Sequence, residues 1–130
     1  MKEKLISLAK SAAKNSHSPY SGFRVGAALL CDDGSIYLGT NIENSSYSAT
    51  VCAERTAFFK AVSEGKRGFT AIAIAGGREE VGVELCPPCG ICRQVMAEFC
   101  DPDKFQIILV KEKGYEEYLL RDILPLAFKL

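Results

Sequence analysis

The order of helical and extended patterns along the chain predicts an α/β fold, one mixed sheet with helices on its faces. Three observations carry this. Three helical stretches interleave with five short runs suited to strands, in the order α-β-β-α-β-α-β-β. The first two strand runs flank Asp32-Asp33-Gly34-Ser35, a hairpin signal because Asp-Gly tolerates the positive φ of tight turns. The 130 residues match one ordinary domain and can bury about two-thirds of their unfolded surface without disulfide staples. No linker, repeat or low-complexity tract divides residues 1–130, which read as a single domain.

The first helix is expected over residues 3–15, with Leu5, Leu8, Ala9 and Ala12 on one face. Ser18-Pro19-Tyr20-Ser21-Gly22 breaks it, and residues 25–30 and 36–42 form the hairpin. The polar run Glu43-Asn44-Ser45-Ser46 leads to a second helix over roughly 52–64, stopped by Gly65. Residues 69–75 read as a buried strand that ends at Gly76-Gly77. After a loop rich in Gly, Glu and Pro, a third helix covers 90–99 and a fourth strand 105–110. Lys113-Gly114 turns the chain into a fifth strand, 115–120, before an apolar tail, Leu124-Pro125-Leu126-Ala127-Phe128. The pattern leaves the pairing of that last strand open.

Composition narrows the function. Sixteen Lys and Arg balance sixteen Asp and Glu, without the basic excess expected of a protein that binds nucleic acid or an anionic membrane. No apolar run approaches the roughly 18 residues of a membrane span, and the N-terminus is a polar helical pattern, so a cytoplasmic protein is expected. In that reducing compartment six cysteines argue for metal binding or catalysis before disulfides.

Cys89-Gly90-Ile91-Cys92 puts two thiols on one face of a helix that is just beginning, where the helix N-terminus favours thiolates. Cys52 stands at the corresponding end of the preceding helix, so converging helix starts would gather three sulfurs. Three protein ligands with a fourth position open is the arrangement of a catalytic zinc. Cys86, Cys89 and Cys92 also open like a ferredoxin motif, but the next cysteine, Cys100, is too distant. A thioredoxin-like pair is a further reading of C-x-x-C, and it leaves Cys52 and Glu54 unexplained. Glu54, two residues after Cys52, is alone an ordinary acid at a helix start; beside three thiols it is a candidate proton carrier.

Cys52-Ala53-Glu54 with Pro88-Cys89-Gly90-Ile91-Cys92 fits the H-x-E…P-C-x-x-C signature of zinc deaminases, with Cys in place of the His. With residues 20–29, Asn41-Ile42-Glu43-Asn44, Arg55-Thr56-Ala57, Arg93-Gln94, Leu124-Pro125 and Phe128, the chain resembles the small homotetrameric cytidine deaminases of pyrimidine salvage. The resemblance spans nearly the whole chain. It implies a three-layer α/β/α fold with a five-stranded sheet, and one Zn²⁺ per subunit on Cys52, Cys89 and Cys92. It implies hydrolysis of cytidine and 2′-deoxycytidine to the uridines and ammonia, with Glu54 carrying protons. Asn41 and Glu43 would hydrogen-bond the ribose 3′-hydroxyl, Phe23 would line the pocket, and backbone near Ala53 would hold the pyrimidine edge. Tyr47 and Phe128 would reach the site of a neighbouring subunit in the tetramer.

Only that frame selects Cys89 and Cys92 over Cys86, and Ser48 replaces a frequent family proline. Three thiolates leave a zinc site at −1, so Arg55, adjoining Glu54, is expected to hydrogen-bond the ligand sulfurs and compensate. His17 reads as a surface or capping residue, and Cys31 and Cys100 as small buried hydrophobes. Two rival functions remain at this point: a deaminase of another cytosine nucleoside such as an antibiotic, and a non-catalytic zinc module using Cys86 as fourth ligand.

Overall fold

The computed structural model describes residues 1–130. Helix α1 (Lys2–Ala13) precedes the hairpin β1 (Phe23–Cys31) and β2 (Ile36–Thr40). A short 3₁₀ turn, Tyr47–Ala49, leads to α2 (Ala53–Ser63), then β3 (Phe69–Arg78), α3 (Gly90–Phe99), β4 (Gln106–Val110), β5 (Tyr115–Leu119) and α4 (Leu120–Ile123). The five strands make one sheet in the order β2-β1-β3-β4-β5. Only β3 and β4 run parallel, joined by the crossover through α3. The last strand pairs antiparallel with β4, Ile108 opposite Glu117, which settles the pairing left open above.

The period-2 alternation of the strands sorts residues between two cores. On β1 and β3 the residues Val25, Ala27, Leu29, Ile72 and Ile74 enter the larger core beneath α2 and α3. Their neighbours Ala28, Ala71, Ala73 and Ala75 face α1 and pack against Leu5 and Ala9. The sequence Ala-Ile-Ala-Ile-Ala on β3 thus puts bulk on one face and lets α1 lie close on the other. Gly26 takes this furthest, since a Cβ there would collide with the backbone of Ala9 and Ala13. Phe58 fills the larger core against Phe69, Phe99 and Phe105 at ring separations of 5.0–6.3 Å. Helices therefore cover both faces, as expected of the three-layer α/β/α fold.

Several boundaries differ from expectation, each for a tertiary reason. Strand β3 continues through Gly76-Gly77 to Arg78 because β1 supplies pairing partners as far as Phe23. Gly77 works there as a strand residue, with Gly82 packed where a side chain would stand. Helix α1 stops at Ala13, and β2 stops at Thr40, after which Ile42 forms isolated bridges to His17 and Val51. Residue 120 leaves the fifth strand and opens α4, where Leu119 N donates to Asp122 Oδ2 at 2.9 Å and Leu120 is fully buried. No helix is long and apolar enough to cross a membrane.

Candidate active site

Both α2 and α3 start at the same end of one sheet face, and each start is marked by a cysteine. Cys52 caps α2 and Cys89 caps α3, both with extended backbone, so their side chains project ahead of the helix ends. Cys92 lies one turn into α3 and turns back to the same point. The sulfurs of Cys52 and Cys89 are 3.6 Å apart and those of Cys89 and Cys92 3.4 Å. All three lie within 4.8 Å of one another. Soft donors converging at this spacing, one exposed, one half-buried and one buried, suit a thiophilic divalent ion such as zinc with one side open. Cys86 is half-buried and its sulfur is not among the three that converge. That separates it from the ligand pair, which spacing alone could not do.

Close approach of α2 to the sheet sets this geometry. A Cβ at Gly39 of β2 would collide with the backbone of Ala53 and Ala57, so the absence of a side chain seats the first turn of α2 on the sheet. Ala53 and Glu54 are consequently buried. Glu54, 4% exposed, is the only polar or charged residue among the buried ones. Burial raises its carboxyl to about 7, with Cys52 adding to the rise. A carboxyl poised there can take up and release protons at neutral pH.

Arg55 points to the same cluster. Its NH2 donates to Cys52 Sγ at 3.4 Å, while its buried Nε has no protein partner. The Cys52 thiol is drawn down to about 5 by its hydrogen bond with Cys92, helped by Arg55. The expected placement of Arg55 beside a candidate ligand sulfur is therefore met at Cys52.

Of the residues expected to meet substrate, Phe23, Asn41, Glu43 and Ala53 lie at the same sheet end and several already hold the fold, whereas Phe128 lies by the far end of α3, beside Phe99 and Pro102. Asn41 Nδ2 donates to Phe23 O at 2.8 Å, and its Oδ1 accepts from Val25 N at 2.9 Å and from Ser16 Oγ. Glu43 Oε1 accepts from the amides of Tyr20 and Ser21, and its Oε2 from Ser21 Oγ. Glu43 and Tyr47 border an open cavity of about 390 Å³ with Tyr20, Ser21, Asn44 and Thr50. Phe23 is half-buried, with Arg78 5.9 Å over its ring. Tyr47 is 86% and Phe128 67% exposed, so neither aromatic is covered by its own chain. His17 is exposed and contacts Asn41 and Glu43 through backbone only. Cys31 and Cys100 are buried in the larger core.

Sequence reasoning passed over Ser16, Tyr20 and Ser21 as partners of Asn41 and Glu43. These contacts span more than twenty residues and leave no local pattern.

Fold and site together define a class: a three-layer α/β/α protein with two helix starts converging on a thiol metal centre and a buried carboxyl beside it. A family model, the cytidine and deoxycytidylate deaminase zinc-binding region, matches residues 1–108. The chain is 53% identical over 127 residues to a cytidine deaminase of Sporosarcina psychrophila, covering 97% of this chain and 90% of that one. It is 46% identical over 127 residues to one from Halalkalibacterium halodurans, covering 98% and 93%. A crystal structure of cytidine deaminase from Burkholderia pseudomallei superposes with a TM-score of 0.89 at 40% identity, over 98% and 99% of the two chains. The chain belongs to the cytidine deaminase family, whose domain binds zinc.

Proposed function

We propose that residues 1–130 act as one deaminase domain, hydrolysing cytidine and 2′-deoxycytidine to uridine and 2′-deoxyuridine with release of ammonia. The observation that carries this is the buried carboxyl of Glu54, raised to about 7, beside the thiol cluster. Cys52, Cys89 and Cys92 hold one zinc per subunit, and Arg55 offsets the negative charge of the three thiolates. Zinc, when bound, supplies Lewis acidity that makes water a nucleophile at neutral pH. Glu54 takes one proton from the attacking water and gives it to N3, which makes C4 electrophilic. After attack at C4 it carries the second water proton to the departing amino group. One proton stays on N3 of the uridine and the other leaves on ammonia, so the hydrolysis balances.

The hydrogen-bond inventory supports the ribose assignment. An amide carries two N–H donors and two acceptor lone pairs. The fold uses both lone pairs of Asn41 and one donor, leaving one N–H for a sugar oxygen. A carboxylate has about four acceptor positions. Three of those on Glu43 are taken, leaving one for a sugar hydroxyl. Phe23 lines the pocket and the backbone at Ala53 holds the pyrimidine edge.

The assembly we propose is a homotetramer with shared sites, to which Tyr47 and Phe128 contribute across subunits. The support is the uncovered apolar surface of Tyr47, Phe59, Ile91, Leu126 and Phe128. Six free cysteines suit the reducing cytoplasm, where the reaction serves pyrimidine salvage. Ultraviolet assays of cytidine against free cytosine test the reading. Turnover should require the ribose, and equal turnover of the free base would remove Asn41 and Glu43 from substrate binding.

A further inference from the structure

Arg93, on the second turn of α3, grips Cys89 from both sides. Its backbone N–H donates to Cys89 O at 3.0 Å, and its side-chain Nε donates to Pro88 O at 2.8 Å. The Pro88 carbonyl belongs to the peptide that leads into Cys89, so this contact fixes the plane from which the Cys89 side chain departs. The other arm of the guanidinium reaches across the fold: NH1 donates to Ile123 O at 2.6 Å, the last carbonyl of α4. Next to it, Gln94 Nε2 donates to Phe128 O at 3.1 Å. Arg93 forms no ion pair with a carboxylate, so its charge is committed to these two carbonyls. Charge-assisted bonds of this kind are stronger than neutral ones, and the rigid fork of arginine can hold two acceptors at once.

The geometry points to Arg93 as a positioning residue that ties zinc retention at Cys89 to the docking of the C-terminal helix α4. Pro88 is fully buried and α4 begins at the fully buried Leu120, so the clamp joins the peptide before Cys89 to a helix seated in the core. Cys89, by contrast, is exposed at a helix end, where its sulfur accepts one backbone bond, from Cys92 N at 3.4 Å. Without the side-chain clamp the Pro88 carbonyl loses its charge-assisted donor and its tie to α4, the peptide leading into Cys89 tilts, and the sulfur of Cys89 shifts from the position shared with Cys52 and Cys92. The inference rests on the reading of Cys89 as a zinc ligand.

The test is zinc release from the loaded protein into excess chromophoric chelator, followed by absorbance. Loss of a group that orients a metal ligand typically weakens metal binding about 10–100-fold, and Arg93→Gln should release zinc faster by a factor in that range. Arg93→Lys keeps the charge but reaches one carbonyl at a time, and should release zinc several-fold faster than wild type. It decides the question if Arg93→Gln does not fold. Deleting residues 127–130 removes the Phe128 contact yet spares the Ile123 carbonyl, so its release rate should match wild type. Release within twofold of wild type in the folded Arg93 variants overturns the proposal, as does an equally fast release from the deletion. A Cys89→Ala variant that retains zinc would instead sink the ligand assignment beneath it.

Discussion

At the scale of single residues, the environment that suits Glu54 to the proposed proton transfers costs stability. Its carboxyl is held at about 7, whereas an unfolded glutamate titrates near 4.3. The folded-state value is raised, so the folded chain resists ionisation that the unfolded chain completes. The penalty is absent below about pH 4, grows as pH rises, and is complete above about 7. At about 1.4 kcal/mol per unit it amounts to roughly 4 kcal/mol. Thermal unfolding of matched metal-free samples should therefore find Glu54→Gln more stable than wild type at pH 8, with the gap closing near pH 4. Equal stability at pH 8 would mean the carboxyl is not desolvated. The same variant should keep its zinc yet lose at least the 10²–10⁴-fold typical of a general acid–base group. Cys86→Ala should keep zinc and activity, whereas Cys89→Ala or Cys92→Ala should lose both in metal analysis and turnover. Zinc loss in Cys86→Ala would shift the ligand register.

At the scale of elements, the sequence made the helix starts legible because capping and thiol spacing are local. C-x-x-C at a helix start and Cys52 before a helix were both readable, and both cysteines prove to be N-caps. What local signals could not supply was the contact that brings α2 down. Gly39 lies within a strand and looked unremarkable; its role appears only when α2 packs over it. The same holds for β3, whose glycines looked like a stop but lie in register with β1. Helix α4 was invisible because four residues carry too little periodicity to read. Gly39→Ala should push α2 off the sheet and cost about 1–3 kcal/mol, the usual range for overpacking. Denaturant unfolding would check this, and a loss below about 0.5 kcal/mol would mean that α2 has room to move.

At the scale of the whole molecule, the proposed assembly has each site completed by a neighbouring chain. Phe128 is anchored by its backbone to Gln94 while its ring is left largely exposed, which suits an aromatic presented to another subunit. Phe128→Ala should raise the KM for cytidine with zinc content unchanged. Refolding Phe128→Ala together with Glu54→Gln should regain some activity, since some mixed sites would hold both native residues. No regain, or a fully active monomer by sedimentation, would end the shared-site reading. Beneath these lies the central claim that Cys52, Cys89, Cys92 and Glu54 together form a zinc-dependent deaminating centre. The most direct test is ultraviolet absorbance of cytidine conversion by the purified chain as loaded, after chelator treatment, and after zinc is restored. The account predicts turnover with about one zinc per chain, its loss on removal and its return with zinc. Unchanged turnover in the stripped protein, or none with zinc bound, would contradict it.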